Sequence, residues 1–227
     1  MNNELVQLVD APQFGLKHRV RRNTVDDDNA PCLLLLHGVG ANEAGLIDLA
    51  LEQDPRLVVI LVRAPLAFGP AQFGWFQVAF TANGPIINAE QAEVARHRLL
   101  EFVDALPQVY GVDPRRIWIA GFSQGGIMSA SAALTAPEKF TGFGILSGRI
   151  LPEIRPYVAP GSAVSQLHAF ISHGAQDQKL AIHFARDACT YLESLGLSPQ
   201  YREYEAGHEL NQPMRDDFEQ WLQRELG

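Results

Sequence analysis

The fold is decided by residues 115–128, which read RRIWIAGFSQGGIM. An apolar, strand-like segment leads into G-x-S-x-G, and a segment rich in small and apolar residues follows as a predicted helix. Because a strand that turns sharply into a helix leaves the central serine at the turn, we expect Ser123 to project above a sheet. Gly121 and Gly125 would allow such a tight turn. The simpler alternative is a glycine-rich turn in which Ser123 only caps the helix.

Predicted strands and helices alternate along the rest of the chain. Besides the strand before Ser123, the predicted strands are 16–22, 32–36, 57–62, 143–146, 167–172 and 200–205. The predicted helices cover about 42–53, 89–110, 123–136, 182–195 and an amphipathic segment near 214–222. This order predicts an α/β fold, with a mostly parallel central sheet and helices on both faces. We expect a single domain over 1–227, with loop excursions at about 64–89 and 147–165 and a solvated acidic turn at 26–28.

Composition and charge narrow the classes of partner. A net charge of −8 on 227 residues argues against nucleic acid or an anionic membrane as the main partner. No apolar run is long enough to span a membrane, and Met1 to Ala11 does not resemble a signal peptide. Cys32 and Cys189 are predicted to be free thiols of a cytoplasmic protein. No metal-ligand motif is visible, so we expect neither a metal nor a cofactor.

Ser123 needs a base, because a serine hydroxyl is a poor nucleophile at neutral pH. Catalytic groups of such sheets lie just after the strands, in the chain order serine, acid, histidine. Of the seven histidines, His208 alone follows the last predicted strand, so we predict it to be the general base. The other candidates are placed less well: His18 in an edge strand, His97 and His183 within helices, His168 at the start of a strand, and His37 and His173 in His-Gly turns that they are expected to brace.

The predicted acid is Asp177, which follows the strand ending at His173 and precedes His208 in the chain. An orienting acid holds the histidine ring and stabilises its charged form. Asp177 could instead be a turn residue that caps a helix. The competing acids are Glu153 in the second excursion, Asp187 within a helix, and Asp216 and Asp217 after the histidine.

An oxyanion hole requires two backbone N–H donors near the serine. We predict them to be Gln124, directly after the nucleophile, and Val39, in the glycine-rich turn after the strand 32–36. Trp75, Phe76 and Phe73 in the first excursion are candidates for the substrate pocket, although such aromatics also pack loops down. Arg63 and Arg149 follow strands and could bind an acidic substrate, but a structural salt bridge is the expected role of each.

With these residues placed, the chain resembles the phospholipase/carboxylesterase family of α/β hydrolases, which includes acyl-protein thioesterases and small bacterial carboxylesterases. The resemblance extends from about residue 31 to 224. It is carried by segments that surround the predicted site: Leu36-His37-Gly38-Val39-Gly40, Trp75-Phe76, Gly121 to Gly126, Leu146-Ser147-Gly148, His173-Gly174 with Asp177, and Gly207-His208-Glu209. It implies an α/β-hydrolase fold without a separate cap domain, and a serine hydrolase of carboxylic esters or thioesters.

Two other functions stay open at this point. One is a lactone or dienelactone-type hydrolase, although such enzymes commonly carry cysteine as the nucleophile. The other is a non-catalytic binding protein for a small molecule, since a fold does not dictate a function. The apolar excursions fit a substrate pocket or a homodimer interface equally well.

Overall fold

The structure is a computed structural model that describes residues 7–11, 15–25, 29–81 and 84–227. The predicted acidic turn at 26–28 lies outside the described residues. These described ranges contain eleven strands: β1 (His18–Arg21), β2 (Ala30–Leu36), β3 (Val58–Val62), β4 (Leu66–Gly69), β5 (Gln72–Gly74), β6 (Val78–Thr81), β7 (Gly84–Ile87), β8 (Val112–Phe122), β9 (Gly142–Leu146), β10 (His168–Gly174) and β11 (Gln200–Tyr204). The helices are α1 (Ile47–Glu52), α2 (Ala89–Tyr110), α3 (Gln124–Thr135), α4 (Gly161–Val164), α5 (His183–Ser194) and α6 (Gln212–Leu226).

Seven strands form the central sheet in the order β1-β3-β2-β8-β9-β10-β11. Only β1 runs antiparallel to its neighbour, and the other pairs are parallel. The predicted α/β fold with a mostly parallel sheet is therefore confirmed. The carboxyl ends of β2, β8, β10 and β11 lie at one edge of this sheet, which is where ligands bind in open parallel sheets.

The central strands are apolar throughout because both faces of the sheet are covered. Along β2, Cys32, Leu34 and Leu36 pack into a core with α2, α3 and α5. The alternate residues Leu33 and Leu35 pack into a second core with α1 and α6 on the opposite face. All of these side chains are fully buried.

Local signals explain the helix bounds. Asn88 caps α2 by accepting a hydrogen bond from Gln91 N–H, and Gly111 ends it with a left-handed φ of 68°. The prediction of a helix over 89–110 is therefore confirmed. Asn42 caps the next predicted helix, but that helix begins as a 3₁₀ turn over Glu43–Leu46, and only Ile47–Glu52 is α-helical. No helix in the described part of the chain is both long and apolar enough to cross a membrane.

The two loop excursions contain more regular structure than predicted. The first consists of two antiparallel hairpins, β4 with β5 and β6 with β7, which pair with themselves and not with the central sheet. Strands of three or four residues are too short to show a clear alternation in sequence. The second contains a 3₁₀ turn, Pro152–Tyr157, and the short helix α4.

Candidate active site

Ser123 stands at the turn between β8 and α3 with φ 55° and ψ −116°. Residues other than glycine rarely adopt a backbone conformation with positive φ, which costs about 1–3 kcal/mol and persists only where the surroundings hold it. The Ser123 N–H donates to Leu146 O of β9 at 2.8 Å, which anchors the turn to the sheet. The Ser123 side chain forms no capping hydrogen bond to α3, so the side-chain cap considered above is not observed.

The two glycines of the motif allow the close approach of three backbone segments. A Cβ atom on Gly125 would lie 2.0 Å from Leu36 O, at the end of β2. A Cβ atom on Gly121 would lie 2.4 Å from the carbonyl carbon of Gly125. Backbone atoms cannot move aside as a flexible side chain can, so both positions exclude a side chain.

The structure brings Ser123, His208 and Asp177 into one hydrogen-bonded chain. His208 Nε2 lies 2.8 Å from Ser123 Oγ, and His208 Nδ1 lies 2.6 Å from Asp177 Oδ2. Asp177 follows β10 and His208 follows β11, so adjacent parallel strands deliver the two groups to the same edge of the sheet. The Phe122 ring packs against the His208 ring with centroids 5.1 Å apart. This is the geometry required of a nucleophile, a general base and an orienting acid.

Both oxygens of the Asp177 carboxylate are occupied. Oδ1 accepts the Lys179 and Leu180 N–H groups at 2.8 and 2.9 Å, while Oδ2 faces His208. Burial by itself would raise the pKa of Asp177. Hydrogen bonds from His173, His208 and the Leu180 amide outweigh it and hold the pKa well below its usual range. Asp177 is therefore ionised at neutral pH, as an acid that stabilises a histidinium must be.

Two histidines brace the turns that carry the site, as predicted. His37 Nε2 accepts the Ala64 N–H at 3.0 Å, so Nδ1 carries the proton and donates to Gly38 O at 2.8 Å. His173 Nε2 donates to Leu180 O at 2.7 Å and lies 3.4 Å from Asp177 Oδ2. Burial lowers the pKa of His37, which keeps this brace neutral. Neither ring contacts Ser123.

The remaining histidines have partners away from Ser123. They are His18 beside Tyr110, His97 beside Glu93, His168 beside Glu225, and His183 against the Phe184 ring. Among residues 7–11, 15–25, 29–81 and 84–227, no three His, Cys, Asp or Glu side chains group closely enough to hold a metal ion.

The predicted oxyanion donors flank Ser123. The turn containing Val39 reaches the serine closely, since a Cβ atom on Gly38 would lie 3.3 Å from Ser123 Cβ. The turn is held in place by Gly40 N–H, which donates to Phe73 O at 2.8 Å. Within the described chain, neither the Val39 nor the Gln124 amide N–H serves as donor in a hydrogen bond. Both N–H groups therefore lack an acceptor within the described chain.

The Gln124 side chain has a role that the sequence did not indicate. Its Oε1 accepts the Trp75 N–H and its Nε2 donates to Phe76 O, both at 2.7 Å. The first excursion is therefore tied directly to the residue after the serine. The sequence signal that could have indicated this role is a glutamine at the first position of an otherwise apolar helix, because an amide buried there needs polar partners.

A cavity opens beside Ser123, and its wall is mostly apolar. It is lined by Val39, Phe76, Val78, Phe80, Pro85, Ile87, Ser123, Gln124, Ile127, Arg149 and Leu180. Of the predicted pocket aromatics, only Phe76 is among them. Trp75 is fully buried, and its indole N–H donates to His37 O at 3.0 Å, so it supports the frame of the site. Phe73 packs beneath the Arg63 guanidinium, 4.5 Å from its ring centroid. The hairpin β6–β7 supplies wall residues that the sequence did not reveal.

Comparison with known proteins places the chain in a family. A profile described as Phospholipase/Carboxylesterase matches residues 23–225. The chain belongs to the phospholipase/carboxylesterase family. It is accordingly a hydrolase of the esterase type. The family resemblance seen in the sequence is confirmed.

Relatives agree with this assignment. Acyl-protein thioesterase 1 of Emericella nidulans is 25% identical over 214 residues, covering 85% of this chain and 89% of that protein. The putative hydrolase MhqD of Bacillus subtilis is 25% identical over 211 residues, covering 93% and 100%. A carboxylesterase from Mesorhizobium loti superimposes with a TM-score of 0.80 at 20% identity, covering 95% and 98%, which speaks for the fold.

The two arginines that follow strands, Arg63 and Arg149, differ in their partners. Arg63 forms the expected salt bridge, with Nε 2.6 Å from Oε2 of the buried Glu43, which also pairs with Arg19 at 2.8 Å. Hydrogen bonds from both arginines outweigh burial and lower the pKa of Glu43. The salt bridge expected for Arg149 is not found among the described residues. Its guanidinium instead lies over the Phe184 ring, 5.0 Å from the centroid.

Proposed function

We propose that the protein hydrolyses carboxylic esters through an acyl-enzyme on Ser123, with His208 as general base and Asp177 as orienting acid. The observation that carries this proposal is the unbroken hydrogen-bond chain from Ser123 Oγ through both ring nitrogens of His208 to Asp177 Oδ2. The strained turn at Ser123 and the apolar cavity beside it support the same assignment. No cofactor is required for this chemistry.

The first half-reaction forms the acyl-enzyme. His208 Nε2 removes the proton from Ser123 Oγ as this oxygen attacks the ester carbonyl carbon. The tetrahedral oxyanion is stabilised by the Val39 and Gln124 N–H groups, and losing one such donor costs about 2.7–4 kcal/mol of barrier. The C–O bond to the alcohol then breaks, and protonated His208 gives its proton to the leaving alkoxide. Asp177 stabilises the histidinium throughout.

The second half-reaction reverses these roles with water. His208 takes a proton from a water molecule, whose oxygen attacks the acyl carbon. Collapse of the second tetrahedral intermediate breaks the bond to Ser123 Oγ, and His208 returns the proton to that oxygen. The products are a carboxylic acid, an alcohol and the free enzyme.

The substrate is a small-molecule ester or thioester in this proposal. Thioesters are included because one relative is named an acyl-protein thioesterase, and a thiolate leaves by the same steps as an alkoxide. The negative net charge disfavours nucleic acid and anionic membranes as partners. Cys32 and Cys189 are both free, which supports a reducing, cytoplasmic location.

The direct test replaces the nucleophile. Ser123→Ala should lower kcat for a short p-nitrophenyl ester by a factor on the order of 10⁶, to the residual activity that binding and the oxyanion hole supply. Ser131→Ala is the matched control, because Ser131 is also buried in α3 but its hydroxyl only bonds Ile127 O within the helix. Full turnover by the Ser123 variant would refute the mechanism.

Two measurements separate this function from its competitors. A fluorophosphonate should label the wild-type protein at Ser123, whereas a pure binding protein need not react. A panel of acyl esters, thioesters and lactones of varied chain length should then rank open-chain esters above lactones. A clear preference for lactones would favour the dienelactone-type alternative.

A further inference from the structure

Arg149 is a buried cation in the wall of the Ser123 cavity. It follows β9 and the turn Ser147-Gly148, where a Cβ atom on Gly148 would lie 3.0 Å from Ser123 O. Arg149 lines the same cavity as Ser123, Val39 and Gln124, and it also borders a neighbouring pocket with Phe184. Only 9% of the residue is exposed. Its charge is therefore largely shielded from bulk water, at the wall of the Ser123 cavity.

Arg149 donates to no acceptor in the described chain, unlike the other two buried arginines. Arg21, which is 7% exposed, also has an enclosed Nε without a partner, but its terminal nitrogens donate to the carbonyl oxygens of Gln53, Asp54 and Leu57. Arg96, which is 6% exposed, pairs with Glu93 and Thr135. Arg149 has neither an ion pair nor a hydrogen bond to any described residue, and its Nε is completely enclosed without a partner.

An unpaired buried guanidinium destabilises a fold unless something compensates for it. Arginine keeps its proton in proteins, so the charge cannot be removed by deprotonation. Burial lowers the pKa of Arg149, and the negative charge of Glu153 offsets this only in part. Stacking on Phe184 supplies some stabilisation but no hydrogen-bond acceptor. An anionic group of a ligand in the Ser123 cavity would supply such an acceptor.

The rest of the wall limits what this anion can be. Apart from Arg149, Ser123 and Gln124, the residues lining the cavity are apolar. A carboxylate carries one charge, which a single guanidinium neutralises, and its two oxygens match the fork of N–H donors. A phosphate monoester dianion would leave a net charge against apolar side chains. The cavity therefore favours a carboxylate on a short apolar chain.

We infer that Arg149 selects ester substrates that carry a free carboxylate, such as monoesters of dicarboxylic acids, by pairing with that carboxylate while Ser123 attacks the ester carbonyl. This inference rests on the proposed function. It concerns which ester is cleaved and leaves the hydrolytic steps unchanged.

The test compares monomethyl glutarate with methyl 4-carbamoylbutanoate, in which an amide of nearly the same shape replaces the carboxylate. Acid release is followed in a pH-stat. The wild type should favour the anionic ester by about tenfold or more in kcat/KM, chiefly through KM, because hydrogen bonds to charged groups contribute this much. Arg149→Gln should abolish the preference, and Arg149→Lys should restore part of it.

Arg155→Gln is the matched control. It removes the same charge from an exposed arginine that also stacks on an aromatic ring, 4.6 Å from the Tyr191 centroid, but does not line the Ser123 cavity. It should keep the full preference for the anionic ester. A second readout is independent of turnover: monomethyl glutarate should slow fluorophosphonate labelling of Ser123 more than its amide does, and Arg149→Gln should remove this difference.

The outcomes separate the inference from the function on which it rests. If Ser123 labels and the amide ester is hydrolysed, but the wild type shows no preference in turnover or in protection, the inference is wrong and the proposed function stands. An Arg149→Gln variant that keeps the preference and melts at a lower temperature would make Arg149 a structural residue. Absence of labelling at Ser123 would overturn the proposed function, and the inference with it.

Discussion

Replacing Asp177 by asparagine should reverse the direction of both hydrogen bonds that link residue 177 through His208 to Ser123. Oδ1 accepts two backbone N–H groups, from Lys179 and Leu180, and only the carbonyl oxygen of an asparagine can do the same. The NH₂ group must then face His208 Nδ1 across the 2.6 Å contact now made by Oδ2. His208 Nδ1 would then accept a hydrogen bond from this NH₂ group, and the ring would carry its proton on Nε2. Nε2 would therefore present a donor to Ser123 instead of a base.

The expected size of the effect follows from this change of tautomer. In serine hydrolases with such a triad, the same substitution lowers kcat by about 10⁴ with the geometry intact. That factor corresponds to about 5.5 kcal/mol of barrier. The ground-state contacts are largely kept, because the two backbone donors retain their acceptor. We therefore expect KM to change little.

The assay is steady-state hydrolysis of a short p-nitrophenyl ester by the wild type and Asp177→Asn. Asp113→Asn is the matched control, since Asp113 is also buried and accepts a backbone N–H, from Arg115 on β8. The control should keep its activity. If folded Asp177→Asn stayed within tenfold of the wild type in kcat, the orienting role of Asp177 would be refuted, and with it the tautomer argument.

The pH dependence of stability offers a second readout on the same variant. The folded-state pKa of Asp177 is depressed, so its carboxylate stabilises the fold above its unfolded pKa of about 3.9 and loses this contribution as pH falls through the folded-state pKa. The gap in unfolding free energy between wild type and Asp177→Asn should therefore be full at neutral pH. It should narrow below about pH 4, as followed by urea unfolding. A gap that widened in acid would contradict the depressed pKa.

Two further predictions concern the frame of the site. Gly125→Ala should destabilise the protein by about 3 kcal/mol or more in urea unfolding, because its Cβ would lie 2.0 Å from Leu36 O, whereas Gly45→Ala, with no atom within 4 Å, should be tolerated. Equal stability of the two variants would argue against the close approach at the elbow. Glu43→Gln should cost about 3–5 kcal/mol, since two partly buried arginines would lose their charge partner. That loss of stability should be full above about pH 4.3 and vanish as pH falls through the depressed folded-state pKa of Glu43. A loss of stability independent of pH would show that packing, not charge, is responsible.

Elements with strong local signals were predicted correctly from the sequence. The helix over 89–110 was predicted to the residue, because Asn88 and Gly111 cap it and its apolar residues keep helical spacing. The buried strand β2 is apolar throughout, as a strand covered on both faces must be. Where the local signal was short or mixed, the prediction was less complete: the hairpins β4–β5 and β6–β7 read as loop, and the 3₁₀ start at Glu43–Leu46 read as α-helix.

Chain order and residue chemistry by themselves singled out Ser123, Asp177 and His208, because parallel strands deliver the groups that follow them to one edge of a sheet. Tertiary structure alone decided what surrounds them. The side chains of Trp75 and Phe76 lie one position apart in sequence, yet one supports the frame and the other lines the cavity. That Arg149 has no hydrogen-bond partner among the described residues is likewise invisible in sequence, since every acid in the chain is a candidate until distances are known. Pairing and burial depend on contacts between distant segments, and only the folded chain determines those contacts.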